Sequence, residues 1–412
     1  MKRGNNSEAI NGWLGQFKAS DQQNADELLK ALRFVSHDEF TTELRKLIPE
    51  VAKSGPSPVG LYVERELRSR NEIPQALFKE SAKKPKRAYG AAFWPVQPLR
   101  AYDPKVGSEG IVAHLGSQLA SQFPDLLFFH PSAYKCRQKG IRRFFLLTDF
   151  IGSGSRIDAC LTSAWRVHSI RSWHSYKLLR LEVIAFSGTE AGCELIRQHP
   201  SAPQVRIALP CPTIASEFSA ERAEEIRTLC TAYDPLDHDP VESLGYMGSE
   251  ALIAFDHGVP NNVPRLLHRK AHGWTPLFLK KVTSDLRGQF NRRSDLEKLV
   301  ERLHKLRQLK LAESPWLSRV PAEKQLLLLF LASLSRRPRF DETISRRTGL
   351  LIPEVRTFMA LASSLGWIDE KRRLTAEGHR QLEHARRWHG DKTKVLAEPR
   401  QPYYPQTLRA PK

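Results

Sequence analysis

The sequence predicts an α/β protein in which N-terminal helices precede a mainly parallel sheet and a helical unit follows it. Short apolar runs alternate with amphipathic helical patterns between residues 88 and 257, which is typical of a parallel sheet covered on both faces. Leucine-rich helical patterns fill the first 50 residues. Beyond residue 321, closely spaced helical patterns and one hairpin predict a second compact unit.

The first hundred residues are predicted to be mostly helical. Leucines at helical spacing predict helices over 25–34 and 38–48, and a third helix is expected over 59–70. An exposed basic connector over 81–87 and a first strand over 89–96 then lead into the sheet.

The sheet region follows with regularly alternating elements. Short apolar runs predict strands, and periodic apolar positions predict the helices between them. The expected strands are 126–129, 143–148, 177–186, 204–209 and 251–255. The expected helices are 111–123, 155–166, 190–197 and 220–232.

The composition indicates a soluble globular protein. Of the 412 residues 41% are hydrophobic and 26% are charged, which is too apolar for a disordered chain. The longest apolar run, 326–334, is about half of the roughly 20 residues that a membrane helix needs. The first residues have no apolar segment behind their charges, so no secretory signal is expected. Five cysteines without a C-x-x-C pair do not suggest structural zinc or disulfides, and a cytoplasmic protein is expected.

The positive charge is concentrated in the last third of the chain. Residues 265–412 contain 32 Lys/Arg and 15 Asp/Glu, a net charge of +17, whereas residues 1–264 carry +2. Such a distribution favours one module that binds a polyanion over a generally basic protein. The alternative is a solvated surface that keeps the protein soluble.

The segment from 144 to 156 is the most informative, because a buried strand runs into an acid, a small-residue loop and a helix. Gly152 and Gly154 let backbone amides approach a ligand closely. With the hydroxyls of Ser153 and Ser155, amides at a helix N-terminus make an anion site. Asp149 lies where acids bind sugar hydroxyls in nucleotide-binding folds. The loop therefore predicts a ribose 5-phosphate site; a glycine-rich turn of any α/β protein is the alternative.

This segment resembles the signature of phosphoribosyltransferases, in which a hydrophobic strand is followed by two acids, two apolar residues and a Thr-Gly loop. Asp149 matches the second acid, and Ser153-Gly154 matches the loop. Thr148 departs from the first acid and Arg156 from a hydroxyl residue, which affects the transfer reaction more than phosphate binding. The resemblance implies that Asp149 is catalytic and that the ribose phosphate is bound by Thr148, Gly152, Ser153, Gly154, Ser155 and Arg156.

A second segment, 245–262, narrows the resemblance to phosphoribosyltransferase-like proteins of bacterial conflict systems. It contains a glycine turn, a strand and a Pro-Asn-Asn loop, and the pattern of residues 13–17 is also similar. Asn261 and Asn262 could contact a base or ribose, or form a capped turn. His257, beside Asp256 at the end of the strand, is expected to be a structural hydrogen bonder. No residues are predicted to ligate a metal, although Mg²⁺ would accompany a phosphoribosyl or nucleotide ligand.

The C-terminal unit has the element order of a winged helix-turn-helix domain. Helices are predicted over 323–335, from Asp341 as N-cap to Gly349, and from Pro353 to Gly366. A hairpin over 367–375 and a helix over 376–387 complete the order, and the hairpin resembles that family's wing.

In winged helices the third helix enters the major groove and the wing touches the backbone. Here the third helix offers Arg356 and Thr357 for base edges or phosphate. The other predicted nucleic-acid contacts surround it and favour phosphate: Arg336, Arg337, Arg339, Arg346, Arg347, Lys371, Arg372 and Arg373. A winged helix used for protein docking is the alternative.

The predicted domains are a helical region 1–87, a phosphoribosyltransferase-like α/β domain 88–285, a connecting helix 286–320 opened by a capping box at Ser294, a winged helix 321–390 and an extended tail 391–412. This combination resembles the effector of a class of bacterial retrons. The resemblance implies an anti-phage toxin that a reverse transcriptase and its multicopy single-stranded DNA, a DNA–RNA hybrid, hold inactive. A non-enzymatic DNA-binding regulator with a degenerate nucleotide-sensing domain is the alternative.

Overall fold

The computed structural model describes residues 6–67, 69–70, 73–82, 84–92, 108–236, 239–278 and 295–387. The chain divides into two compact units, 1–292 and 293–412, each with its own apolar core. Among the helices described, none is long and apolar enough to cross a membrane.

The first unit is a mixed α/β structure. Its strands are β1 Arg33–Val35, β2 Val59–Val63, β3 Ser69–Arg70, β4 Ile73–Pro74, β5 Lys79–Glu80, β6 Ala88–Tyr89, β7 Leu127–Phe129, β8 Arg143–Ile151, β9 Arg180–Gly188, β10 Gln204–Pro210 and β11 Ile253–Phe255. Its helices are α1 Asn6–Leu14, α2 Gln22–Ala31, α3 His37–Lys53, α4 Ser108–Gln122, α5 Ala133–Lys139, α6 Ser155–Trp165, α7 His168–Ser175, α8 Glu190–Arg197, α9 Ile214–Glu217, α10 Ala220–Ala232, α11 Pro240–Ser243 and α12 Arg265–His268.

Five parallel strands in the order β10-β9-β8-β2-β7 form the main sheet. Apart from its first residue, β9 is buried throughout, as expected for a strand covered on both faces. The predicted fold class is confirmed, and the strands at 126–129, 143–148, 177–186 and 204–209 are confirmed within a few residues. The helices predicted between them are present with similar bounds.

The prediction of a helix over 59–70 is wrong. Val59–Val63 is strand β2, all five residues are buried, and it pairs with both β7 and β8. Its β-branched and aromatic side chains suit the interior of a sheet better than a helix. Strand β2 therefore contributes a carboxyl end next to that of β8, which the sequence interpretation does not contain.

Two other strand predictions are corrected near the ends of the first unit. The helix expected over 25–34 stops at Ala31, and Arg33–Val35 pairs in parallel with β11 in a separate two-stranded sheet. The strand expected over 251–255 thus lies outside the main sheet. Of the strand expected over 89–96, Tyr89 lies in the β5–β6 hairpin, and 93–96 fall outside the described residues.

The second unit is helical. It contains α13 Asp295–Lys305, α14 Leu309–Ala312, α15 Ala322–Ser333, α16 Asp341–Thr348, α17 Ile352–Ser364 and α18 Ala376–Arg387. An antiparallel bridge between Ile368 and Leu374 forms the predicted hairpin. Gly349 and Gly366 end α16 and α17 at positive φ, as predicted.

The core of the second unit surrounds α15, whose residues Leu327 to Ser333 are all buried. Leu299 and Leu303 of α13 pack into the same core, so the stretch predicted as a connecting helix is an integral part of this unit. Ser294 of the predicted capping box and the predicted tail 391–412 lie outside the described residues.

Candidate ribose-phosphate site and nucleic-acid surface

Asp149 lies near the carboxyl end of β8 and is held by two hydrogen bonds. The backbone N–H of Phe150 donates to its Oδ1 at 2.8 Å, and Nε2 of His257 lies 3.2 Å from its Oδ2. Burial alone would raise the pKa of the Asp149 carboxyl, but the hydrogen bond and charge of His257 outweigh burial and lower it. An ionised carboxylate can only accept, so His257 carries its proton on Nε2.

Aromatic rings fix the orientation of His257. Its ring stacks on Phe255 with centroids 5.0 Å apart, and Phe40 meets it edge-on, also at 5.0 Å. The buried Nδ1 has no hydrogen-bond partner in the part of the chain that the structure describes. His257 therefore orients Asp149, a partner that the sequence interpretation did not assign to it.

The loop after β8 has the geometry of an anion site. Gly154, at φ +84°, is the N-cap of α6 and turns the chain into the helix. The hydroxyls of Ser153 and Ser155 lie 2.9 Å apart at the N-terminus of this helix. Backbone amides and hydroxyls at a helix N-terminus are favourable partners for a phosphate.

The two informative segments of the sequence meet at Gly152. A β-carbon on Gly152 would overlap the side-chain amide of Asn262, which donates to Ser249 Oγ at 2.7 Å. Asn261 is exposed, and its carbonyl accepts from Tyr246 N at 2.8 Å. These are contacts of a packed turn behind the loop; a role of either asparagine in ligand binding stays a prediction.

The structure adds a second carboxylate, that of Glu64. Glu64 follows β2, its backbone N–H donates to Leu147 O at 2.8 Å, and Thr148 Oγ1 donates to its Oε2 at 3.1 Å. Thr148 Oγ1 also lies 3.3 Å from Asp149 Oδ1, so both carboxylates contact one hydroxyl. Sequence interpretation missed Glu64 because the segment was assigned to a helix. A buried strand ending in an acid, the pattern that identified Asp149, was the available signal.

Arg156 compensates the charge of Glu64. Its Nε lies 2.7 Å from Glu64 Oε1 in an ion pair without hydrogen-bond alignment, and its Nη2 lies 4.0 Å from Glu109. The Arg156 side chain is 53% exposed, whereas Glu64 is buried. Burial raises the pKa of the Glu64 carboxyl to about 7, although the charge of Arg156 opposes this shift.

A metal held by protein ligands alone finds no site in the described residues, because no three His, Cys, Asp or Glu side chains cluster suitably. Mg²⁺ in phosphate-binding sites is usually held by one or two carboxylates together with substrate phosphates. Asp149 and Glu64 are compatible with that second arrangement.

Comparison with protein families agrees with both units. A family model described as PRTase-CE matches residues 10–280. The chain belongs to the PRTase-CE family. A second model, described as wHTH-PRTase associated, matches residues 328–410, so a phosphoribosyltransferase-like domain is followed by a winged helix-turn-helix domain, as predicted. No curated protein and no solved structure matches the chain.

In the winged helix-turn-helix domain, several predicted nucleic-acid contacts are engaged internally. Arg347 donates to the carbonyls of residues 336–338, and Arg339 donates to Leu334 O. Thr357 Oγ1 donates to Pro353 O at 3.1 Å, and Arg346 also has an internal partner. The corresponding side chains serve the fold as well as any ligand.

Asp341 and Asp369 bind three more of the predicted cations. Arg356 Nε and Arg372 Nη1 lie 3.1 and 2.8 Å from the Asp341 carboxylate, and Arg373 Nε donates to Asp369 at 2.7 Å. Asp341 is not the N-cap of α16, as expected from the sequence; Phe340 takes that position and Asp341 is the first helical residue. Its carboxylate is directed to the wing and to α17 instead.

Arg336, Arg337 and Lys371 make no side-chain ion pair or hydrogen bond with the residues described. Burial, then the charges of Arg336 and Arg339, lowers the pKa of Arg347, which indicates an excess of positive potential here. Phosphate would relieve that repulsion.

Phe340, which sequence interpretation missed, lies beside these cations with 67% of its surface exposed. Its loop is held by Arg347 on one side and by Arg372, which donates to Arg339 O at 3.0 Å, on the other. A fixed, exposed aromatic ring among cations is suited to stacking on an unpaired base. Its isolation between two predicted arginines and a helix was the available sequence signal.

Proposed function

We propose that this protein is the effector of a retron-type anti-phage system. Its PRTase-CE domain acts on a nucleotide or ribose phosphate, its winged helix binds nucleic acid, and a reverse transcriptase with multicopy single-stranded DNA holds it inactive. The observation that carries the enzymatic part is Asp149, an oriented, ionised carboxylate that lies beside a phosphate-type loop.

The geometry supports ribosyl chemistry. The Asp149 carboxylate accepts a hydrogen bond from a ribose hydroxyl, while the amides and hydroxyls at the start of α6 bind the 5-phosphate. With the sugar held at both ends, its anomeric carbon has a fixed position for transfer or for cleavage of a nucleotide. Mg²⁺ bound with the ligand would neutralise phosphate charge, held by Asp149.

Nucleic-acid binding by the winged helix is supported by the three cations without internal partners in the described residues, Arg336, Arg337 and Lys371, and by Phe340. They favour contacts to phosphates and unpaired bases over base-edge readout. A nucleic acid with single-stranded segments would fit such a surface.

The test is expression of Asp149→Ala in cells, with and without the reverse transcriptase and its DNA. The wild type alone should stop growth, and Asp149→Ala should abolish this toxicity while remaining folded. Asp125→Ala, which removes an exposed carboxylate, is the matched control and should stay toxic. If Asp149→Ala is fully toxic, the enzymatic proposal is wrong and the non-enzymatic regulator, favoured by Thr148 in place of an acid, takes its place.

Partner binding is tested by purification of the tagged protein from cells that express the reverse transcriptase and its DNA. Both should co-purify with the wild type. Nuclease treatment should release the protein from the complex if the nucleic acid is the main contact. Failure of either partner to co-purify would contradict the restraint by this complex.

A further inference from the structure

We propose that Glu64 supplies, from the strand next to β8, the second ribose-binding carboxylate that position 148 lacks. The inference rests on the proposed function, because it assigns a residue to the same site. It makes Glu64 and Asp149 a pair of acids that lie on either side of the Thr148 hydroxyl.

The register of the sheet places Glu64 at the site. Val63 pairs with Leu147, and the backbone N–H of Glu64 continues the ladder to Leu147 O at 2.8 Å. Glu64 is therefore the residue beside Thr148 on the adjacent strand, at the edge where parallel sheets bind ligands. An acid at position 64 can reach the space that an acid at position 148 would serve.

This placement explains both departures from the phosphoribosyltransferase pattern. An acid at 148 as well as at 64 and 149 would bring three carboxylates together, and Thr148 avoids that repulsion while donating to Glu64 at 3.1 Å. Arg156 in place of a hydroxyl residue neutralises Glu64 at 2.7 Å. The two substitutions therefore compensate for one relocated acid.

The energetics argue against a purely structural role for Glu64. A carboxylate that is buried to this extent loses much of its hydration, and a half-exposed arginine restores part of it. A glutamine would keep the hydrogen bond to Thr148 without the cost of a buried charge. Retention of the acid is explained if a ligand uses it.

The charged and titratable groups around Glu64 come from three elements. They are Asp149 of β8, Arg156 and Cys160 of α6, and Glu109 of α4. Burial and the two acids favour the protonated form of Glu64, and Arg156 opposes them, so its pKa is about 7. Since an ionised carboxylate is the stronger acceptor, ribose binding should strengthen as the pH rises through 7.

The experiment is calorimetric titration of the full chain with ribose 5-phosphate and, separately, with inorganic phosphate. Glu64→Gln should weaken binding of ribose 5-phosphate about tenfold or more, since hydrogen bonds to charged groups are worth roughly 1.5–3 kcal/mol. It should leave binding of inorganic phosphate, which needs the loop alone, unchanged. Glu43→Gln, a change of another buried glutamate, is the matched control and should bind both ligands normally.

A second variant separates a ligand contact from a structural effect. Thr148→Asp combined with Glu64→Gln returns an acid to the usual position of the pattern and should restore binding of ribose 5-phosphate. Between pH 6 and 8 the wild type should gain affinity for ribose 5-phosphate relative to inorganic phosphate, and Glu64→Gln should not.

Three results would overturn the inference in distinguishable ways. Normal ribose 5-phosphate binding by Glu64→Gln, with loss in Asp149→Asn, rejects Glu64 and keeps the proposed site. An equal loss of both ligands in Glu64→Gln, without rescue by Thr148→Asp, assigns Glu64 to the fold. Absence of sugar-phosphate binding by the wild type rejects the proposed function itself, and the inference with it.

Discussion

In the PRTase-CE domain two carboxylates, Glu64 and Asp149, meet beside Arg156, whereas in the winged helix three arginines share Asp341 and Asp369. The first arrangement is buried and holds negative charge that the fold does not need. The second is half-exposed and uses acids to hold the wing against its helices. A residue's charge thus indicates ligand binding when its internal partners leave it uncompensated, and fold support when they do not.

The largest expected effect tests whether Glu64 costs stability. Its pKa rises from the usual 4.5 to about 7, which corresponds to about 3 kcal/mol at roughly 1.4 kcal/mol per unit. The stability contributed by the protonated form is complete below pH 4.5 and is lost as the pH rises through 7. Glu64→Gln should therefore be more stable than the wild type by about 3 kcal/mol at pH 8 and equal to it near pH 4.

Hydrogen exchange of the β8 amides measures this difference, because it reports the first unit without the second. Glu43→Gln should show no comparable gain at pH 8. A loss of protection in Glu64→Gln at pH 8 would mean that Glu64 supports the fold, and the contrast between the two surfaces would disappear.

The next effect concerns Phe340. Stacking of one base on an aromatic ring is worth roughly 1–3 kcal/mol, so Phe340→Ala should weaken binding of a single-stranded oligonucleotide about five- to hundredfold. Phe340→Trp should keep the affinity, and a blunt duplex should bind both variants alike. Tyr176→Ala, at another exposed aromatic residue, is the control. Equal losses on single strands and duplex would indicate a general surface contact instead of stacking.

Removal of Asp341 should convert internal contacts into ligand contacts. Asp341→Ala frees Arg356 and Arg372, and each added phosphate contact steepens the salt dependence by about 0.7 on single strands. We expect a slope that is steeper by about 1.4, measured as binding across a salt series. Asp369→Ala, which frees Arg373, should give about half of that change. An unchanged slope in both variants would favour protein docking by this face.

The smallest effect is expected at the phosphate loop. Ser153→Ala removes one neutral hydroxyl, and a single such hydrogen bond is worth roughly 0.5–1.5 kcal/mol. Binding of ribose 5-phosphate and of inorganic phosphate should weaken alike, by about two- to tenfold in calorimetry. Selective loss of the sugar phosphate would instead place Ser153 at the ribose.

The parts of the fold that could be predicted are those whose signals are local. The loop after β8 and the order of elements in the winged helix depend on glycines, caps and apolar spacing within a few residues. Strand β2 could not be assigned in this way, because its short apolar run is also compatible with a helix. Its identity is decided by pairing with β7 and β8, which lie 60 to 90 residues further along the chain.

The same distinction applies to the site. Asp149 was predicted because it follows a recognisable strand, but its partner His257 is 108 residues away and Glu64 is 84 residues away from Thr148. On the winged helix all predicted cations are present on the surface or near it, yet their pairing with Asp341 and with loop carbonyls depends on the folded arrangement. Composition identified the surface, and it overestimated the number of cations available on it.

The packing behind the phosphate loop also bears on how distant relatives of this chain can be found. Gly152 lies against the Asn262 amide, and a β-carbon on Gly192 would overlap the carbonyl oxygen of Gly152. Thr189 holds the same oxygen through a hydrogen bond of 2.6 Å. Homologues should therefore keep a glycine, then a Thr-x-x-Gly, then an asparagine, even where the ligand-facing residues have diverged, and these positions offer a search fingerprint independent of catalytic activity.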